Sequence, residues 1–248
     1  MKYTVSNSAL NAFFSGCPAR LGFFRKYSMK PKFMPRPLRF GISVHQAIEQ
    51  DLEGEMAADV RMVAERLLNL LDKKGYKILE REVKHLAPLT DDIDVFGIID
   101  ALVLNPDGSC GIIDFKTGSY PWETIETADG ELITLKARTW QGAIYTLPPY
   151  RMPAGWKEWP GRIDYLTAPT NGLAGIFPYY ANDADLENLR RAATMMKEAE
   201  DREWLPKNVG YECGDCLWRP ACWNLPNWER HYDNRRGKQE EENVSDIG

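Results

Sequence analysis

A short polar turn between two apolar segments constrains the fold of this chain most strongly. Segments 94–104 (DVFGIIDALVL) and 109–116 (SCGIIDFK) have the apolar, β-branched composition of buried strands. Residues 105–108 between them (NPDG) fit a type I turn whose final glycine takes the left-handed conformation, which gives a three-residue hairpin loop with a G1 bulge. The sequence therefore predicts an antiparallel hairpin in which Asn105 flanks Ser109.

The register of this hairpin brings two acidic side chains together. Counting back from Asn105 and Ser109 places Asp100 directly opposite Asp114 on one face, with their Cβ atoms about 4.5–5.5 Å apart. Lys116 shares that face because side chains alternate along a strand. A loop shorter or longer by one residue would change the parity and separate the carboxylates.

The opposed carboxylates predict a cation site. Directly opposed like charges destabilise a sheet, and burying them costs several kcal/mol more unless a partner compensates. Mg²⁺ and Mn²⁺ favour hard oxygen ligands, and Mg²⁺ is commonly held by one or two carboxylates with water and substrate phosphate. The alternative for Asp114 and Lys116 is an ordinary surface ion pair at a strand end, which contributes little.

The remaining sequence predicts an α/β fold with a central mixed sheet flanked by helices. Further strands are expected at 77–86, 161–168 and 172–180, the last two as a hairpin. Capped or amphipathic segments predict helices at 6–15, 19–27, 40–54, 56–75, 136–147 and 183–204. A polar loop is expected at 117–131. Because both faces of the central hairpin are apolar, the sheet is expected to be covered on both sides.

Charge is distributed unevenly along the chain. The net charge is −5, yet the first 48 residues contain eight basic residues and no acidic one. Segment 28–37 (SMKPKFMPRP) is basic, proline-rich and aromatic, which suits contacts to phosphates and a base face; a solvated basic face is the alternative. The N-terminus has no apolar signal core and no apolar run approaches the roughly 18 residues of a membrane span, so we expect a cytoplasmic protein without membrane contact.

The cysteines form a second candidate site. Cys213, Cys216 and Cys222 give three thiols within ten residues, and Cys17 is a distant fourth. Four thiolates suit either a structural Zn²⁺ or a 4Fe–4S cluster, and the spacing alone does not separate the two. Cys110, in an apolar strand, is expected to be a buried free thiol.

Four short motifs, in order along the chain, resemble those of one nuclease family. They are Gly41-His45-Glu49 in GISVHQAIE, Gly97-Asp100 in GIIDAL, Asp114-Lys116-Gly118 in DFKTG and Gln141-Tyr145 in QGAIY. Their types and order resemble the RecB-type branch of the PD-(D/E)xK nuclease superfamily, especially its iron–sulfur members related to the CRISPR-associated single-strand exonucleases. The resemblance extends over nearly the whole chain and implies a restriction-endonuclease-like core.

The resemblance implies a set of metal ligands. Four groups would hold the catalytic metal: His45, Asp100, Asp114 and the backbone carbonyl of Phe115. A lone helical histidine is otherwise more often structural, so the assignment of His45 depends on the motif. Glu49, one helical turn later, would support the metal shell from outside.

The resemblance also assigns roles beside the metal. Lys116 would orient the attacking water, because a free lysine, with a pKa of about 10.4, is protonated at neutral pH. Gln141 and Tyr145 share a helix face and would contact the nucleic acid near the scissile bond. Ordinary helix packing is the alternative for this last pair.

The cysteines complete the implied organisation. Cys17, Cys213, Cys216 and Cys222 would bind a 4Fe–4S cluster, favoured over zinc by the resemblance, and the cluster would act as a structural staple. Residues 1–232 would form a single nuclease domain with a core at about 38–180, a cluster-binding layer from 1–27 and 204–232, and a flexible tail at 233–248.

The expected function is that of a Mg²⁺- or Mn²⁺-dependent DNA exonuclease acting on single-stranded or end-containing DNA. Other recombination or CRISPR-adaptation proteins are candidate partners. The alternatives are a non-catalytic DNA-binding module of the same fold and a redox-responsive regulator whose cluster is the sensor. Intact Asp100, Asp114 and Lys116 favour the enzyme, since a pure binder has no need for opposed carboxylates.

Overall fold

The structure is a computed structural model of the chain. It describes residues 2–14, 17–21, 25, 36–118, 122–126, 132–136, 140–170, 172 and 174–202. The chain divides into two compact units. One comprises Met1–Asn11 and Pro35–Glu198, and the other comprises Ala12–Met34 and Ala199–Gly248.

The described part of the chain contains eight strands and six helices. The strands are β1 (Tyr3–Ser6), β2 (Lys77–Pro88), β3 (Ile93–Leu104), β4 (Cys110–Lys116), β5 (Trp122–Glu126), β6 (Leu132–Lys136), β7 (Arg162–Thr167) and β8 (Gly175–Tyr180). The helices are α1 (Asn7–Phe14), α2 (Ala19–Leu21), α3 (Arg36–Glu49), α4 (Ala58–Lys73), α5 (Trp140–Tyr145) and α6 (Asp183–Asp201). Within the described residues, no helix has both the length and the apolar character that crossing a bilayer requires.

Six of these strands form one mixed sheet. β3 pairs antiparallel with β2 and β4, and parallel with β1. β4 continues the sheet through a parallel pairing with β7, which pairs antiparallel with β8. β5 and β6 form a separate two-stranded sheet. The predicted mixed sheet and both predicted hairpins are confirmed.

The turn that sets the central register has the predicted form. The backbone N–H of Asn105 donates to the carbonyl of Ser109 at 2.7 Å, and Gly108 adopts a φ of 82°. The resulting ladder pairs Leu104 with Cys110 and Ala101 with Ile113. The turn chemistry therefore determines the register of β3 and β4, as predicted from the sequence.

Helices cover both sides of β4. Phe115 packs in a buried cluster with the apolar stripe of α4 and with Val44 and Ile48 of α3. Asp114, which points to the opposite face, accepts a hydrogen bond from Gln141 of α5. α5 itself packs against β3, β7 and β8. The ionic end of β4 therefore lies between helices rather than on an open sheet face, as the apolar strands predicted.

A gap in strand pairing opens along β3. β2 occupies one edge of β3 over residues 94–104, so β1 and β4 must share the other edge. β1 pairs with residues 93–96 and β4 with residues 101–104. Between them, residues 97–100 have no strand partner on that edge among the described residues. Side chains fill this gap, and the candidate site forms there.

Two predicted helices have different bounds in the structure. α3 begins at Arg36 and ends at Glu49 instead of spanning 40–54, because Asp51 and Leu52 adopt positive φ values of 52° and 63° that end the helix before Gly54. α5 is restricted to Trp140–Tyr145 of the predicted 136–147. α4 ends close to the predicted stop, since Gly75 takes a φ of 78° just beyond its last turn.

Two sheet features were missed by the sequence prediction. The expected polar loop at 117–131 contains β5, which pairs with β6. The expected first helix is preceded by β1, after which the Ser6 hydroxyl accepts a hydrogen bond from the Ala9 N–H at 3.3 Å, as the predicted cap required. The predicted helix at 19–27 begins with α2, and its residues 22–24 and 26–27 lie outside the described residues, as do 28–35 of the basic segment and 203–248.

Gly97 provides a test of how closely α5 must approach the gap. A Cβ atom at this position would lie 2.4 Å from Cε1 of the Tyr145 ring. We expect Gly97→Ala to lower the free energy of unfolding by about 1–3 kcal/mol, because the ring or the strand must shift to relieve the overlap. Urea denaturation measures the change.

Gly161→Ala is the matched control for this substitution. No heavy atom lies within 4 Å of a Cβ built at Gly161. We expect this variant to unfold within about 0.5 kcal/mol of the unsubstituted protein. Equal effects of the two substitutions would contradict the proposed close approach of Tyr145 to β3.

Candidate active site

The site begins where β4 separates from β3. The last backbone pair joins Ala101 to Ile113, and beyond it the N–H of Phe115 donates to Oδ2 of Asp100 at 2.6 Å. If the ladder continued, the Phe115 N–H would donate to a backbone carbonyl. The Asp100 carboxylate takes the place of that carbonyl. β4 remains paired on its other edge, where Asp114 lies opposite Tyr165 of β7.

Asp114, Lys116 and Gln141 form a closed ring of polar contacts, referred to below as the Asp114 ring. The Lys116 ammonium forms an ion pair with Oδ2 of Asp114. Gln141 Nε2 donates to Oδ1 of Asp114 at 2.6 Å, and Lys116 Nζ donates to Oε1 of Gln141 at 3.0 Å. Each side chain is held by the other two, so the ring fixes the direction of the ammonium group.

Burial and charge act in opposite directions within the Asp114 ring. Burial raises the pKa of Asp114 to about 6, with a further increase from Asp100, although the nearby Lys116 opposes both. Burial by itself would lower the pKa of Lys116, but the carboxylates of Asp114 and Asp100 outweigh it and raise the pKa above its ordinary value. Lys116 is therefore a cation at neutral pH, which suits a water-orienting role better than that of a base.

His45 reaches the same place from α3. Its Nε2 lies 3.0 Å from the carbonyl oxygen of Phe115, and its Nδ1 lies 3.4 Å from Oδ1 of Asp100. Burial alone would lower the pKa of His45, but the interaction with Asp100 outweighs it and raises the pKa. Two groups expected to share a metal, the imidazole and the Phe115 carbonyl, are thus in direct contact.

Glu82 is a candidate ligand that sequence reasoning missed. It lies on β2 between the pairs Arg81–Ala101 and Val83–Ile99, which puts it level with Asp100 on the neighbouring strand. Its backbone has a φ of 52°, an uncommon conformation for glutamate. Ligand atoms of His45, Glu82 and Asp100 all lie within 4.8 Å of one another. We refer to these three side chains as the His45 group.

The His45 group has the chemistry of a divalent-cation site. Imidazole nitrogen and carboxylate oxygen are donors that Mn²⁺ accepts, and Mg²⁺ takes the oxygens. Burial and then the charge of Asp100 raise the pKa of Glu82, a sign of repulsion between the acids that a cation would relieve. Asp114, predicted as a ligand of the same metal, contacts Lys116 and Gln141, and its role as a ligand stays a prediction.

The helical motif residues lie beside these two groups. The Tyr145 hydroxyl donates to the Ile98 carbonyl in the unpaired stretch of β3, and Gln141 Nε2 lies 3.5 Å from that hydroxyl. Gln141 therefore contacts the acid–lysine pair directly, whereas Tyr145 contacts the strand that carries Asp100. Glu49 lies farther along α3 from His45 and lines the adjoining cleft.

A cleft of about 530 Å³ opens onto the His45 group. α3 and β3 supply an apolar part of its wall, which comprises Leu38, Ile42 and Ile98. These three side chains are 55%, 40% and 42% exposed, although each is large and apolar. An exposed apolar surface beside ionic groups is typical of a ligand-binding wall.

The cysteine site lies mostly outside the described residues. Cys17 is half-buried, and Cys213, Cys216 and Cys222 fall in the part of the chain that is not described, so the cluster stays a prediction. Cys110 is half-buried rather than buried as expected, because it is the first residue of β4, next to the exposed turn, and it forms no disulfide within the described residues.

Similarity to one known structure supports the fold. A protein from Eubacterium rectale named "Putative exonuclease" is 17% identical, with a TM-score of 0.54 over 84% of this chain and 85% of that one. LHK-Exo, solved with dAMP, is 12% identical with a TM-score of 0.42, covering 82% and 89% of the two chains. The structure named SSO0001 is 16% identical with a TM-score of 0.43, covering 88% and 85%.

Sequence comparison identifies the family. No curated protein is significantly similar to this chain in sequence. The family model described as the PD-(D/E)XK nuclease superfamily matches residues 54–223, which include β3, β4 and α5. The chain therefore belongs to the PD-(D/E)XK nuclease superfamily.

Proposed function

We propose that this nuclease is a Mg²⁺- or Mn²⁺-dependent deoxyribonuclease that removes nucleotides from single-stranded or end-containing DNA. The observation that carries the proposal is the convergence of the His45 group and the Asp114 ring at the point where β4 leaves β3. One group is rich in metal ligands, and the other holds a cation on a buried carboxylate. A bound metal ion and a fixed cation beside one phosphate can each stabilise the charge that develops during phosphodiester hydrolysis.

The residues divide the chemical work. His45, Asp100, Glu82 and the Phe115 carbonyl would hold the divalent ion, with Asp114 as a further carboxylate nearby. The ion, when bound, would stabilise negative charge on the phosphoryl oxygens and lower the pKa of an attacking water. The Lys116 ammonium, held by Asp114 and Gln141, would orient that water and offset charge that develops during attack.

The cleft beside the His45 group supports the preference for unpaired DNA. Its apolar wall of Leu38, Ile42 and Ile98 offers a surface for one nucleobase, and a base can pack there only when it is not paired. Arg36 and Arg39 are exposed in the first turn of the same helix and are available to phosphates. The proposed substrate is therefore a single strand or a frayed duplex end.

The proposal includes a structural 4Fe–4S cluster on Cys17, Cys213, Cys216 and Cys222. Support comes from the second compact unit, in which residues 12–34 group with residues 199–248. Arg25 and Glu200, one from each of these segments, form an ion pair at 3.1 Å. A cluster bound by the same two segments would tie them together further. A cytoplasmic location and partners from recombination or CRISPR adaptation complete the proposal.

End-labelled DNA tests the activity. With Mn²⁺ or Mg²⁺, the protein is expected to shorten a single-stranded oligonucleotide from an end, and labels at the 5′ and 3′ ends report the polarity. Asp114→Asn and Lys116→Ala are each expected to lower kcat by about 10² or more. The first removes the charge that orients the Lys116 ammonium, and the second removes the ammonium itself. Lys77→Ala removes an exposed lysine of β2 and is expected to retain full activity. DNA that stays intact with both the unsubstituted protein and Lys116→Ala would favour the non-catalytic binder.

Metal binding is expected to weaken as the pH falls. The ligands bind a cation only in their unprotonated forms, and the pKa values of Asp114, at about 6, Glu82 and His45 are all raised. Protons therefore compete increasingly as the pH is lowered from 8 to 5.5. Titration calorimetry with Mn²⁺ at pH 6, in buffers of different ionisation enthalpy, should detect proton release.

Two substitutions on β2 test the ligand role of Glu82 in the same titration. Glu82→Gln is expected to weaken Mn²⁺ binding by about tenfold or more, whereas Glu80→Gln changes an exposed acid of the same strand and should leave it unaltered. Equal affinities for the two variants would argue against Glu82 as a ligand. Binding that is independent of pH would argue against a site built from these titratable side chains.

The cysteines allow a matched test of the cluster. Protein purified without oxygen is expected to contain about four iron and four sulfide per chain, and elemental analysis distinguishes this from one zinc. Cys17→Ser is expected to lose the iron, while Cys110→Ser, at the remaining cysteine, keeps it. Stoichiometric zinc in place of iron would show that the cysteines bind zinc and no 4Fe–4S cluster. DNA affinity that changes with cluster oxidation would favour the redox-responsive regulator.

A further inference from the structure

The short helix α5 carries a key contact of the site and needs support from the rest of the fold. It has six residues, Trp140–Tyr145, and helices shorter than about 12 residues are marginal in water without tertiary contacts. Gln141, near its start, completes the Asp114 ring. The position of Gln141 therefore depends on whatever holds the helix.

Two aromatic side chains from outside the four motifs hold the C-terminal end of α5. His85 of β2 is 1% exposed, and its Nε2 lies 3.0 Å from the carbonyl oxygen of Ile144. Trp159, in the segment between α5 and β7, donates its indole N–H to the carbonyl of Tyr145 at 2.7 Å. The last carbonyls of a helix have no partner within the helix. Trp159 donates to the Tyr145 carbonyl, and His85 adds a second donor to the Ile144 carbonyl, which also accepts from the Leu147 N–H at 3.2 Å.

The two donors also support each other. The rings of His85 and Trp159 stack with centroids 5.4 Å apart and planes inclined by 21°. The ring of Tyr145 meets His85 edge-on at 5.7 Å. Burial lowers the pKa of His85 to about 4, so the imidazole is neutral at working pH and keeps one N–H for the Ile144 carbonyl. The stack is anchored to β2, the strand that also carries Glu82.

We propose that His85 and Trp159 are positioning residues which fix α5 and, through Gln141, keep the Asp114–Lys116 pair in its reactive geometry. The proposal rests on the proposed nuclease function. Neither residue lies in the His45 group, so they act on the orientation of Lys116 rather than on the metal ligands. Displacing a reacting group by about 1 Å costs up to about 10² in rate, which makes a hydrogen bond at the far end of α5 relevant to catalysis.

Trp159→Phe is the central test, because it keeps an aromatic ring against His85 and removes only the N–H donor. We expect kcat to fall about tenfold, with KM and Mn²⁺ affinity unchanged. In a Gln141→Ala background the same substitution is expected to have no further effect, since the group it positions is gone. Trp156→Phe is the matched control: the ring centroid of Trp156 lies 5.4 Å from that of Trp159, and full activity is expected.

His85 offers a rescue experiment. His85→Leu is expected to lower kcat as Trp159→Phe does, while His85→Gln, which can still donate to Ile144, is expected to recover most of it. Equal losses for the two His85 variants would overturn the positioning role of His85. A Trp159→Phe effect that is undiminished in the Gln141→Ala background, or matched by Trp156→Phe, would overturn the proposal as a whole.

Hydrogen exchange gives a readout that does not require activity. Trp159→Phe is expected to speed exchange of the amides near the end of α5, including that of Thr146, which donates to Gly142 at 3.1 Å, and to leave α4 unchanged. If the unsubstituted protein cleaves no DNA, the proposed function fails, but this measurement still decides the structural part. Unchanged exchange in α5 would then overturn it.

Discussion

The hydrogen bond from the Phe115 N–H to the Asp100 carboxylate determines the form of the candidate site. At this point β3 and β4 stop pairing, and a buried N–H without an acceptor would cost about 1–3 kcal/mol. The carboxylate supplies the acceptor, so the strands can separate without that penalty. Their separation makes room for side chains from α3 and α5, while Glu82 reaches Asp100 from β2 on the other edge of β3.

Charge divides the site into two unequal halves. In the Asp114 ring, the negative charge of one carboxylate is balanced by one ammonium, and one amide donates to the same carboxylate. This half of the site therefore has no net charge. In the His45 group, two carboxylates face one imidazole. Two unit charges no more than 4.8 Å apart repel by about 3 kcal/mol or more at an effective dielectric constant near 20, which is a substantial part of a domain's stability. The second half therefore gains most from a cation, whereas the first needs none to be stable.

The sequence predicts what local chemistry determines and fails where distant segments meet. The turn at 105–108 gives the register of β3 and β4, and residue spacing gives the helical pairing of Gln141 with Tyr145. Glu82 could not be singled out, because its level on β2 depends on the irregularity between Ile78 and Glu80 and on an unusual backbone angle. β1 was missed for the same reason: its pairing with β3 joins residues about 90 apart.

The motif glycines have a physical explanation that sequence spacing does not supply. At Gly97 there is no room for a Cβ beneath the Tyr145 ring, and at Gly41 one would meet the Thr117 hydroxyl at 3.3 Å. Each glycine thus allows one motif to approach another, which explains why motifs far apart in the chain form one site. His85 and Trp159 act differently, since they stabilise the site through the backbone of α5 and leave no pattern near the motifs. Such residues are found only when the carbonyls of a short helix are followed to their partners.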